Sequence, residues 1–164
     1  MRFPWLAALC LAAASIADAR PYGVDDMLRV ESYGQALIDP DGRWAVIDRY
    51  RRYDSAASYR YDGFTRRGLG VVMRLDLQHG SRLEPLFPQD DGAGYWIASL
   101  SPSGKRVAYL TCAGDCGDPE LSGTGTVWRV KLDGSGKKEL FSAEGALQPN
   151  TSVAWIGTPA SDVG

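Results

Sequence analysis

Beyond Gly34, apolar and polar positions alternate in short bursts rather than in helical stripes. Met73, Leu75 and Leu77 fall on one side of the pattern, with Val72, Arg74 and Asp76 on the other. Trp128, Val130 and Leu132 alternate in the same way against Val127, Arg129 and Lys131. A period of two marks a half-buried strand, because successive side chains leave a strand on opposite faces. The stretch Val24–Val30 reads differently. Asp25 and Asp26 come early and apolar residues sit at Val24, Met27 and Leu28, which suits one or two turns of helix ended by Gly34.

The alternation occurs twice. Asp39-Pro40-Asp41-Gly42-Arg43, followed by Trp44-Ala45-Val46-Ile47, returns 62 residues later as Ser101-Pro102-Ser103-Gly104-Lys105, followed by Arg106-Val107-Ala108-Tyr109. The strand Val72–Leu77 returns as Val127–Leu132 after only 55 residues. Residues 51–69 number 19 and residues 113–124 number 12, a difference of seven that accounts for the two displacements. A repeat with one variable loop belongs to stacked or radial β architectures, because such a unit cannot bury its apolar faces without a neighbour.

Each repeat supplies four strands: one before the Pro-x-Gly turn, one after it, the alternating strand, and a short last one at Leu83–Phe87 or Glu139–Phe141. Gly42 and Gly104 provide the positive-φ position of a tight connection, and Pro40 and Pro102 preset its entry. His79-Gly80 and Asp133-Gly134-Ser135-Gly136 introduce the fourth strands. The expected fold is all-β: a partial β-propeller of about two four-stranded antiparallel blades plus the first strand of a third, preceded by a short helix.

On this division, residues 1–19 are a signal peptide and 20–34 an N-terminal segment with the short helix. Residues 35–90 are the first blade, 91–146 the second, and 147–164 the truncated start of a third. Ser152–Ile156 has the character of an opening strand and Thr158-Pro159 matches Ser101-Pro102, but Ser161 stands where Gly104 should. Propellers close with about four to eight blades, so the chain is expected to be a piece of something longer.

The first residues set the compartment. Arg2 precedes the apolar run Trp5–Ile16, and Ala17-Asp18-Ala19 has the spacing that a signal peptidase reads, placing cleavage between Ala19 and Arg20. The run is shorter than the ~20 residues that cross a bilayer, so an exported chain, periplasmic or secreted, with no membrane association after signal removal is expected. Cys10 would leave with the peptide. The remaining 145 residues carry 17 basic and 19 acidic side chains, a balance with no global pull towards nucleic acid.

Cys112 and Cys116 close a small loop at a strand end. In an oxidising compartment a disulfide is the first reading, with two free thiols next. A metal site is the weakest, since zinc normally wants four ligands and no second Cys or His pair accompanies them. The segment from Asp48 to Arg67 holds six arginines and four tyrosines. Within it Arg51, Arg52, Tyr59, Arg60 and Tyr61 form a possible peptide-contact loop at a propeller rim, set against the plainer reading of a long solvated hairpin. Asp133–Lys138 lacks the glycine and hydroxyl spacing of a phosphate loop and reads as a hairpin turn. Asn150-Thr151-Ser152 fits the short glycosylation pattern, which is common by chance. Trp44, Tyr95, Trp96, Tyr109, Trp128 and Trp155 read as interblade core. No cofactor site and no metal site is expected.

Taken together, the Asp-Pro-Asp-Gly-Arg-Trp motif at 39–44, the Trp-Arg-Val-Lys-Leu-Asp-Gly run at 128–134, the export signal and the acidic short helix resemble the start of secreted prolyl oligopeptidase-family serine peptidases. That family includes dipeptidyl and acylaminoacyl peptidases and the lasso-peptide isopeptidases. The resemblance covers roughly residues 22–157 and implies a propeller that gates peptide access to a C-terminal α/β-hydrolase domain. Similar blade motifs occur in TolB-like periplasmic propellers. Gly-x-Ser-x-Gly occurs nowhere in the chain and His79 is its only histidine, so no catalytic residue carries over. The expected function is substrate gating and docking for a hydrolase domain absent from this chain, which alone is inactive. The alternative is a TolB-like module that binds protein.

Overall fold

A computed structural model describes residues 20–56, 67–80, 82–90, 93–113, 124–144 and 153–156. Helix α1 (Val24–Leu28) is a single turn and a half, and the Asp26 carboxylate accepts the Gly23 N–H at 2.9 Å. The helix stops at Arg29, well before Gly34. That glycine lies inside strand β1 (Ser32–Ile38), at the irregularity between Tyr33 and Ala36. Its role is close approach: a Cβ there would lie 2.9 Å from Tyr50 Cε2 and 3.2 Å from Asp48 Cβ.

Strands β1, β2 (Trp44–Tyr50), β3 (Gly70–Asp76) and β4 (Glu84–Pro85) form one antiparallel sheet in chain order. Strands β5 (Ala93–Leu100), β6 (Arg106–Ala113), β7 (Thr124–Lys131) and β8 (Lys138–Glu144) form a second sheet with the same order. These are the two blades, each a four-stranded meander.

The repeat is visible bond by bond. Asp39 N–H donates to the Trp44 carbonyl at 2.9 Å, and Ser101 N–H to that of Arg106 at 2.8 Å. Leu77 N–H donates to the Arg43 carbonyl, and Leu132 N–H to that of Lys105. Register follows the same displacements, Ala45 opposing Leu75 and Val107 opposing Val130.

The fourth strands differ. β8 is longer than Glu139–Phe141, whereas β4 is shorter than Leu83–Phe87, although the Leu86 N–H just past it still donates to the Val72 carbonyl at 3.0 Å. Past β4 the Gln89 side chain takes over. Its Oε1 accepts the Val72 N–H at 2.9 Å and its Nε2 donates to the Val72 carbonyl at 2.7 Å.

The sheets pack face to face. Leu37, Val46, Val72, Leu86 and Phe87 of the first meet Tyr95, Ile97, Val107, Tyr109 and Val130 of the second. Phe87 stacks on Tyr109 with centroids 4.5 Å apart and meets Tyr95 edge-on at 5.7 Å. This packing is the neighbour contact that each repeat lacks alone. Asp48 crosses the same junction, its Oδ1 accepting the Ile97 N–H at 2.8 Å. Trp96 Nε1 and Tyr109 Oη are buried without a hydrogen-bond partner among the described residues, and burial pushes the Tyr109 phenol upward.

The outer face of the second sheet carries Trp96, Leu110, Cys112 and Val127, with Val153 packed against them. Val153–Ile156, within the stretch where a third opening strand was expected, joins neither sheet among the described residues. Trp155 Nε1 instead donates to Ser99 Oγ at 3.0 Å. Ser152 lies outside the described residues. No helix among the described residues is long and apolar enough to cross a membrane.

Candidate binding cleft

A cleft of about 430 Å³ opens where the β1–β2 turn meets its repeat, the β5–β6 turn. That volume falls within the usual range for a ligand cleft. The two turns touch because Gly104 has φ +71° and no side chain: a Cβ there would lie 2.4 Å from Pro40 Cδ and 3.0 Å from Asp39 Cβ. The first blade lines the cleft with Asp39, Asp41, Arg43, Trp44 and Arg74, and the second with Lys105, Lys131 and Asp133 among others.

The acidic groups are largely occupied by the turns themselves. Asp39 Oδ1 accepts the N–H groups of Arg43 and Trp44, each at 2.7 Å, and so closes its own turn. In the second repeat Ser101 Oγ accepts the Arg106 N–H at 3.1 Å, and Ser103 Oγ accepts the Lys105 N–H at 3.2 Å. Asp133 Oδ1 accepts the Ser135 N–H at 2.8 Å, and the hydrogen bonds from the Ser135 side chain and backbone hold its carboxyl below the usual range.

Arg74 is a strut. It pairs with Glu84 at 2.7 Å, donates from Nη1 to the Leu132 carbonyl at 2.9 Å across the blade junction, and lies 5.3 Å from the Trp44 ring centroid. Arg43 lies 5.5 Å from the same ring. Arg74→Met keeps the aliphatic stem and loses the junction bond. Because the Glu84 pair is half exposed and worth little, the expected loss is about 1–2 kcal/mol, read from urea unfolding at constant slope. Arg43, Lys105 and Lys131 make no contact ion pair among the described residues, although Lys131 attracts Asp133.

Of the residues that the sequence picked out for peptide contact, the described ones, Arg51 and Arg52, do not line the cleft. Arg51 and Arg52 sit in the β2–β3 connection, at the opposite end of the sheet. Arg51 Nη2 donates to the Gly68 carbonyl at 3.1 Å, and Arg52 Nε donates to Asp54 at 2.8 Å. Tyr59, Arg60 and Tyr61 lie outside the described residues, as do Ala19 and Cys116. Arg20 is exposed and bonds to Asp26. Cys112 is buried at the end of β6 and disulfide-bonded.

His79 lies on an exposed turn with Nδ1 3.2 Å from Asp76 Oδ2. No group of three or more His, Cys, Asp or Glu gathers into a metal-holding cluster among the described residues. Asp133–Gly136 forms the β7–β8 turn, with positive φ at Gly134 and Gly136. Tyr95, Trp96 and Tyr109 are buried core, and Trp128 packs beside it with Nε1 donating to Thr111 Oγ1. Trp44 instead lines the cleft. The sequence does hold one signal for this site, the equivalence of Arg43 and Lys105 one residue past each turn glycine.

No family model matches the chain, and no curated protein matches it. Among solved structures, one assigned to TolB from Agrobacterium tumefaciens is similar over 69% of this chain and 34% of that one. The two are 24% identical over that region, with a TM-score of 0.46. The chain therefore spans about a third of that structure's length. The blade assignment rests on this chain's own strand order and register.

Proposed function

We propose that the chain is an exported propeller module that works by binding protein, with a peptide segment seated in the cleft between the paired turns. The observation that carries this reading is that both repeats are needed to make the cleft. Arg43, Trp44 and Arg74 come from one blade and Lys105, Lys131 and Asp133 from the next, with the Gly104–Pro40 contact fixing their separation. The Arg2 to Ala19 pattern and the disulfide at Cys112 both favour an oxidising compartment outside the cytoplasm.

The test is isotope-edited NMR of the purified chain titrated with a panel of unstructured peptides. Peptides that bind are expected to move the Trp44 indole N–H resonance and the backbone amides of residues 41–44 and 103–105. Shifts confined to the β2–β3 end, or no shift with any peptide, would refute a binding role for the cleft.

A further inference from the structure

We infer that the cleft selects a carboxylate-bearing peptide segment, with Arg43, Lys105 and Lys131 as the groups that receive its acidic side chains. The inference rests on the binding role proposed above and adds the chemistry of the ligand.

Charge count alone does not decide the ligand, because four basic side chains and three acidic ones line the cleft. Availability does. Arg74 is committed to Glu84 and to the Leu132 carbonyl, Asp39 to two backbone N–H groups, and Asp133 to Ser135. Asp41 is the one acid with no such commitment, against three cations without a contact ion pair.

The cations are also held apart in a useful way. Arg43 and Lys105 occupy equivalent positions in successive repeats, one on each rim, and the backbone carbonyl of each accepts an N–H from the residue just past the third strand of its blade, Leu77 and Leu132. Lys131 ends β7 beside the second rim. A ligand that spans the cleft therefore meets positive groups on both sides, with the polar backbone of two turns between them. An extended peptide with dispersed carboxylates matches that spacing. A polyanion of uniformly high charge does not, because Asp39, Asp41 and Asp133 repel it and the chain as a whole is acidic.

The experiment compares three peptides of equal length and sequence frame bearing Glu, Gln or Lys at alternate positions, each titrated into the purified chain and followed at the Trp44 indole resonance. The Glu peptide is expected to bind about tenfold more tightly than the Gln peptide, with three exposed charge pairs each contributing a few-fold. That preference should shrink as salt rises from about 0.05 M to about 0.5 M. The double variant Lys105→Glu with Lys131→Glu should favour the Lys peptide, whereas Arg52→Glu, at the far end of the sheet, should leave the order unchanged. Equal binding of the Glu and Gln peptides at the cleft overturns the carboxylate inference and leaves the binding role standing. Absence of any cleft shift with all three peptides overturns both.

Discussion

Gly104→Ala is expected to lower the unfolding free energy by about 3 kcal/mol, while Gly42→Ala lowers it by only about 1 kcal/mol. The two glycines are equivalent in the repeat and nearly identical in backbone, with φ of +65° at Gly42 and +71° at Gly104. Each substitution pays the left-handed strain of an L-residue, about 1–2 kcal/mol. Their surroundings differ. A Cβ on Gly42 meets nothing within 4 Å, whereas one on Gly104 drives into the Pro40 ring and the Asp39 Cβ. Neither neighbour is the far end of a flexible chain, and Asp39 is held by its two backbone bonds, so the turns must separate. Urea unfolding of the two variants at matched slopes measures the difference. Equal losses would mean that the turns do not touch, and the cleft would then have no fixed width.

Stability is expected to fall as pH rises from about 5 to about 8, and Asp48→Asn is expected to remove most of that slope. Asp48 is 4% exposed, and burial pushes its carboxyl up to about 7 from an ordinary value of 3.8, with the Ile97 N–H pulling the other way by less. A carboxyl raised in the folded state binds its proton there more tightly than in the unfolded chain. It therefore costs nothing below about pH 4, and the cost grows until the folded group has also ionised. At full ionisation the cost is on the order of 4 kcal/mol.

The asparagine amide keeps an oxygen for the Ile97 N–H and carries no charge, so the variant should be the more stable protein at pH 8 and nearly equal at about pH 4. Below about pH 4 the trend reverses for both. There Asp26, held low by the Gly23 N–H and Arg20, Asp54, held low by Arg52, and Asp133, held low by Ser135, take up protons and lose their partners. Thermal midpoints across this range measure the effect. A parent chain with no slope between pH 5 and 8 would show that Asp48 is solvated, and so that the blades do not meet at Ile97.

Asp48 also shows where sequence reading ran out. Its repeat equivalent, 62 residues on, is the fully buried Leu110, so nothing in the pattern marked it as a junction residue, and it read as the start of a charged loop. Gly34 was misread for a related reason. A glycine after a short helix resembles a stop signal, and the contact that explains it comes from Tyr50, on the neighbouring strand. What the sequence did carry were features written locally: alternation, turn glycines at fixed offsets, and the seven-residue difference between the two connecting segments.

The cleft was out of reach because Trp44 and Arg74 of the first blade meet Lys131 of the second only once the blades stack. Trp44 looked like core because aromatic strand residues usually are. Arg74 reaches its ring only in three dimensions, from the paired strand β3.

Gln89 has one further consequence. A primary amide that engages both the N–H and the carbonyl of Val72 behaves as a one-residue β-strand that cannot be lengthened, so it seals the margin of the first sheet where β4 gives out. The second sheet has no such stopper among the described residues. β8 runs for seven residues at the margin, with Leu140 and Phe141 turned to solvent. Should this polypeptide self-associate by strand addition, the seam would form along β8, and Lys138 and Glu139 are the charges that oppose it.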